Sequence, residues 1–155
     1  MFEPSRPIST YIAKRGLIAI AITLACSIAL ILGGMDNSAN LAVNAKRSEQ
    51  TAGSLIILLL VFAPLLETGI VALLATILMW TKLNRVAVCI LIGIFLGYLH
   101  WIGNPLQGYS VVIGFIINAA AYIAWRAESR KTAYFICAAM HAVVNIPALL
   151  VYVFL

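Results

Sequence analysis

Residues 86–125 read VAVCILIGIFLGYLHWIGNPLQGYSVVIGFIINAAAYIAW. No Lys, Arg, Asp or Glu interrupts them, and the one break in apolar character is Gly-Asn-Pro-Leu-Gln-Gly at 103–108. A membrane-crossing helix needs about 20 apolar residues, so the stretch is too long for one crossing. The Gly/Asn/Pro cluster marks a turn between two. Working outward, residues 16–35 and 132–155 carry no charge and residues 50–81 carry only Glu67. Backbone satisfaction in lipid requires every such stretch to be helical. The expectation is an all-α, polytopic transmembrane bundle of five spans at 16–35, 54–80, 86–103, 109–125 and 132–155. Residues 1–15 form an N-terminal cytoplasmic segment and 16–155 a single membrane domain.

Composition agrees with that class. Hydrophobic residues make up 64% of the chain and charged residues 10%, with a mean hydropathy of +1.07, which excludes a soluble domain with one polar face. Arg6, Lys14 and Arg15 precede the first span, Lys46 and Arg47 follow it, Lys82 and Arg85 separate the second from the third, and Arg126, Arg130 and Lys131 precede the fifth. The positive-inside rule then places the N-terminus in the cytoplasm and the C-terminus outside. The net charge of +5 is this cytoplasmic excess, which also touches anionic headgroups. Without aromatic interleaving it gives no sign of nucleic acid. The first span is too long for the apolar region of a signal peptide, and Ala39 and Ala42 fit a cleavage site only loosely, so it reads as a retained helix. Cys26, Cys89 and Cys137 fall in three different spans without C-x-x-C spacing and read as small buried hydrophobes.

Against this background three ionisable side chains stand out. Glu67 is the only acid within a span, and His100 and His141 are the only histidines. Each costs roughly 2.5–3.5 kcal/mol near a helix centre on insertion scales, so the three call for a common explanation. Counted from the cytoplasmic end of their spans, Glu67, His100, His141 and Asn145 lie roughly 9 to 14 residues in, about 13–21 Å at 1.5 Å of rise. Four polar groups from three helices therefore share one layer. Gly93 and Gly97 form a G-x-x-x-G face beside His100, and Ala138 and Ala142 flank His141, so both stripes suit close helix contact. Gly114 and Asn118 give the fourth span a weaker version of that face. Pro64 and Pro147 each release a backbone carbonyl one turn earlier, beside the polar residues.

A carboxylate, two imidazoles and an amide in a water-accessible intramembrane pocket suit hydrolysis of a carbonyl. Glu67 serves as general base on water with one imidazole holding that water, and the second imidazole with the amide donates to the developing oxyanion. The same atoms suit a zinc ion, since two His and one carboxylate with an open position form a hydrolytic metal set. The sequence leaves both open.

The order of these residues resembles the CPBP family of intramembrane proteases, which includes the CAAX prenyl endopeptidases and the bacterial Abi proteins. Ala63-Pro64-Leu65-Leu66-Glu67-Thr68 is similar to the start of its Glu-Glu-x-x-x-Arg motif. Phe95-Leu96-Gly97-Tyr98-Leu99-His100 is similar to Phe-x-x-x-His, and His141-Ala142-Val143-Val144-Asn145 fits the final His-x-x-x-Asn. The likeness spans about residues 54–150. It implies a glutamic endopeptidase without a cofactor, in which Glu67 and His100 activate water and His141 and Asn145 stabilise the oxyanion. The implied substrate is a membrane-embedded or lipid-anchored protein or peptide, and the implied setting a bacterial or archaeal cytoplasmic membrane. Thr68 stands where the second Glu is expected, Ala72 where the Arg is expected, and Phe95 one residue before the Phe position, held by Leu96.

Plainer roles compete. Glu67 can pair with a neighbouring helix, His100 can sit in an outer aromatic belt beside Trp101, and His141 with Asn145 can be interhelical hydrogen-bond glue. Tyr98, Trp101 and Tyr109 read as outer-interface anchors, Trp80 and Trp125 as inner ones. A non-catalytic binding or immunity protein that keeps the pocket, and a proton-coupled carrier, are the alternatives to a protease.

Overall fold

The computed structural model describes residues 7–35 and 51–154, with side chains described to Leu150. The expectations resting on Arg6, on Lys46 and Arg47 and on the 36–42 stretch lie outside the described residues. The described chain is helical, with five helices long and apolar enough to cross a membrane. They are α1 (Ile8–Leu32), α2 (Ala52–Trp80), α3 (Arg85–Gly103), α4 (Pro105–Trp125) and α5 (Arg130–Phe154). The protein is thus an integral membrane protein by the length and composition of its helices.

Polar residues start most of these helices. Thr51 accepts from Ser54 N at 3.2 Å, Asn84 from Ala87 N at 2.8 Å, Asn104 from Gln107 N at 3.2 Å, and Ser129 from Thr132 N at 3.4 Å. Each fills one of the donors that a helix start leaves without an intrahelical partner. Between α2 and α3, Lys82 turns the chain at φ 60°, a left-handed conformation usually given to glycine after a helix end.

Two boundaries depart from the reading by hydropathy. The expected turn at 103–108 contracts to Asn104 alone, because Pro105 fits the first position of a helix, where its missing N–H costs nothing, and Asn104 caps it. Gly108, expected in the turn, instead lies inside α4. A Cβ there would meet Trp101 Cα at 2.5 Å, so glycine is what lets α3 and α4 meet so closely. At the N-terminus, α1 begins at Ile8, eight residues before the span expected from charge, and runs through Lys14 and Arg15. That extra length carries Tyr11 onto Trp125, edge to face with centroids 5.4 Å apart, while Arg15 lies over the Tyr11 ring. Trp125 is therefore fully buried and is not an interface anchor. Trp80, 78% exposed, remains free for that role.

Helix α4 sits at the centre and packs on all four others, most extensively on α3, while α3, α2, α5 and α1 each neighbour the next around it. Gly93 and Gly97 of α3 face it as their spacing led one to expect. An added Cβ would lie 2.8 Å from Val112 O at Gly93 and 3.0 Å from Gly108 O at Gly97. Such contacts matter because lipid removes most of the hydrophobic drive between helices and leaves close packing and polar bonds to hold them. On the other side of α4, Ser27 of α1 donates to Ser110 at 2.9 Å, and Ser110 donates to Leu106 O at 2.7 Å.

Candidate functional site

Helix α2 is locally underwound. Residues Leu58–Phe62 form a π-turn between two α-helical segments, and the Ala63 N–H donates to Leu58 O, five residues back. In a regular α-helix Ala63 would serve Leu59 O, and in the π pattern the next donor along would be residue 64. That residue is Pro64, which has no N–H. Leu59 O is therefore left without a backbone donor, and Asn145 of α5 supplies one through Nδ2 at 2.8 Å. Because a carbonyl only accepts, this bond fixes which way the Asn145 amide points. The carbonyl that Pro64 was expected to release is thus present and already answered by a residue of the expected site.

One turn beyond the bulge, Glu67 enters the space between α3 and α5. Its Oε1 lies 3.8 Å from His100 Nε2 and its Oε2 3.3 Å from His141 Nε2. The second contact has the length of a hydrogen bond without its alignment, since Glu67 Oε2 makes none among the described residues. His100 Nδ1 lies 2.9 Å from Leu96 O. The carbonyl can only accept, so Nδ1 carries the hydrogen in that bond, and in the neutral ring Nε2 presents a lone pair towards Glu67. His141 is 9% exposed and its Nδ1 has no partner among the described residues. Phe115 of α4 stands against both imidazoles, with centroids 5.3 Å from His100 and 5.4 Å from His141.

Glu67, His100, His141 and Asn145 all line one cavity of about 450 Å³, within the size range of small-ligand sites. Its wall draws on all five helices, with Ala19 and Thr23 from α1 and Gly103, Asn104 and Gln107 at the junction of α3 and α4. Gly103, Gln107, Leu58 and Ala148 of the lining are at least partly exposed, whereas Asn104 at the junction and Met140 and Asn118 at the other end are buried. The cavity accordingly opens on the side away from the turns that hold Lys82, Arg85, Arg126 and Arg130. No group of three or more His, Cys, Asp or Glu arranged to hold a metal ion occurs among the described residues.

The four residues singled out from sequence are thus brought together. His100 turns into the cavity and not out into an aromatic belt, although Tyr98 and Trp101 beside it are exposed and stacked at 6.1 Å. At the altered motif positions, Thr68 is fully buried, and its hydroxyl has no hydrogen-bond partner among the described residues. Phe95 is 44% exposed and faces away, while Leu96 is buried. Cys89 and Cys137 are buried, and all three cysteines are free. The sequence reading missed Phe115, which shares a face with Gly114 and Asn118 and was legible by helical spacing. It also missed the share of α1, since Thr23 lies in a span with no other chemical signal.

No family model, curated protein or solved structure matches this chain. The fold defines an integral membrane protein of five helices, and the site a carboxylate held between two imidazoles.

Proposed function

We propose that this protein is an intramembrane endopeptidase of the glutamic type, hydrolysing a peptide bond in a membrane-embedded or lipid-anchored protein or peptide. The observation that carries this is the placement of Glu67 between His100 and His141 in a cavity that Asn145 also lines. The order in which these same residues occur, which resembles the CPBP proteases, is in keeping with it. A water donating one hydrogen to Glu67 Oε1 and the other to the His100 Nε2 lone pair suits their 3.8 Å separation, and its own lone pair is then free to attack. As the water oxygen bonds to the substrate carbonyl, Glu67 takes its proton. The oxyanion receives hydrogen bonds from His141 and from the second N–H of Asn145, the first being held by Leu59 O. Collapse of the intermediate breaks the C–N bond, and Glu67 passes the proton to the departing amine.

On this reading no metal takes part. Zinc at unit stoichiometry that disappears in His141→Ala would replace the glutamic mechanism with a metal one. Positive-inside placement puts the N-terminus in the cytoplasm, the C-terminus outside and the cavity mouth on the outer side. The resemblance suggests a bacterial or archaeal cytoplasmic membrane. A second reading, a binding or immunity protein that holds a peptide without cutting it, is favoured by Thr68 and Ala72, which remove the acid and the arginine expected beside Glu67.

Mass spectrometry of protein termini, in membranes of cells expressing the wild-type chain or Glu67→Gln, separates the two. New ends that depend on Glu67 are expected and name the substrate. Identical termini from two equally abundant, folded proteins would sink the protease and leave the binding protein.

A further inference from the structure

The closed end of the cavity holds a polar group that the hydrolytic mechanism does not use. Asn118 lies on α4, one turn beyond Phe115 and on the same face. It lines the cavity and is 5% exposed, and neither its Oδ1 nor its Nδ2 has a hydrogen-bond partner among the described residues. Its backbone is tied in place, since Cys137 Sγ donates to Asn118 O at 3.4 Å. Cys137 is one turn before His141 on α5, so Asn118 lies about one helical turn, roughly 5–6 Å, deeper than the imidazole. A buried amide left unpaired in this way is a destabilising feature, and it is retained next to the reacting groups.

The chemistry of the surroundings narrows what can answer it. Among the described residues, Glu67 is the only Asp, Glu, Lys or Arg in the cavity wall. A phosphate or a free C-terminal carboxylate would meet no Lys or Arg among them and one acid. The amide offers a donor and an acceptor side by side, with apolar walls from Phe115, Met140 and Val144. Its complement is a neutral group with a C=O and an N–H on the same side, as the main chain of one residue in an extended internal peptide presents them, its own N–H and C=O belonging to two adjacent trans peptide bonds.

We infer that Asn118 pairs with the main-chain N–H and C=O of one residue in an uncharged, internal, extended peptide segment and so positions a neighbouring peptide bond against Glu67. The inference rests on the protease reading for its substrate class, while the binding it describes does not require cleavage. Its occupant is a neutral peptide, not a lipid headgroup or a chain terminus.

The test uses the full chain in nanodiscs, carrying Glu67→Gln so that nothing is cut, with the blocked tripeptide acetyl-Leu-Ala-Leu-amide as probe. Saturable binding is expected. Asn118→Leu, which keeps the volume and removes both polar atoms, is expected to weaken it about tenfold. N-methylation of the peptide amides is expected to cost the same factor in the Asn118 protein and little in Asn118→Leu, the signature of a shared bond. If Asn118→Leu fails to fold, the N-methyl series on the Asn118 protein alone decides. Absence of saturable binding, equal binding by Asn118→Leu, an N-methyl series without effect, or tighter binding of the free-acid tripeptide or of lipid overturns the inference. Binding that follows Asn118 in a protein that never cleaves would sink the protease and keep this site. Cleavage indifferent to Asn118→Leu would do the reverse.

Discussion

The two ends of this bundle are built on different terms. Towards the turns that carry the cationic residues, Val71, Ala75, Val88, Cys89, Ala124, Trp125, Ala133 and Cys137 are at most 3% exposed and none is ionised or amidic. Towards the cavity mouth, the helices meet through Glu67, His100, His141 and Asn145, with bonds such as Asn145 to Leu59 O replacing apolar contact. The contrast shows a division of labour. One end is shaped so that helices approach without voids. The other keeps polar groups that are only partly satisfied, and such groups are where reactivity is found and stability is given up.

Substitutions that act at one end, the other, or both will break or sharpen that division. The largest effect is expected from Glu67→Gln, a loss of about 10²–10⁴-fold in turnover, read as the rate of appearance of new termini. Thermal unfolding in nanodiscs should be unchanged, and a large fall in stability would mean that Glu67 also holds the bundle together. Asn145→Ala should cross the divide. If the proposed mechanism holds, turnover falls by about 10²–10³-fold through the loss of the oxyanion donor it assigns to Asn145, and stability falls by about 1–3 kcal/mol because Leu59 O loses its partner. Gly93→Val acts on the packed α3–α4 contact, where the obstructing atoms are Ile116 Cγ1 and the backbone oxygen of Val112. It should cost about 1–3 kcal/mol while the folded fraction retains its rate. Ser27→Ala removes the link from α1 to Ser110, worth about 0.6 kcal/mol by comparison with other interhelical bonds in membranes. Smallest of all, Leu17→Ala at a 61% exposed position should stay within about 0.5 kcal/mol. A larger loss would show that this face of α1 is covered by another chain.

How much could be read in advance differs between helices for a physical reason. Helix existence follows from apolar length, which lipid imposes, so five spans were legible from runs without charge. Burial is not legible in that way. Helix α4 has the lowest mean hydropathy of the five spans and is the most enclosed, 67% buried, whereas α1 is much more apolar and only 11% buried. In an apolar solvent the most hydrophobic helix has least reason to leave the surface, and small and polar residues go to the centre. Reading Trp125 as an interface anchor failed on this point, because Tyr11 covers it from a segment that charge alone had assigned to the cytoplasm. The convergence of Glu67, His100, His141 and Asn145 was visible as a shared depth, since a helix fixes rise per residue. The azimuth of Glu67 was not visible, because it depends on α2 being irregular.

That irregularity carries a consequence for how the chain can vary. A π-turn accommodates one residue more than the α-helix around it, and one residue is about 100° of rotation about the helix axis. The register of Leu58–Phe62 therefore decides the direction in which Glu67 points relative to the part of α2 that precedes it. Removing a single leucine from this run would let the helix close into an ordinary spiral and swing the two parts of α2 against each other by more than a quarter turn. Either Leu59 O would leave Asn145 or Glu67 would leave the histidines. Every residue of the site would still be present in such a chain, and the site would not.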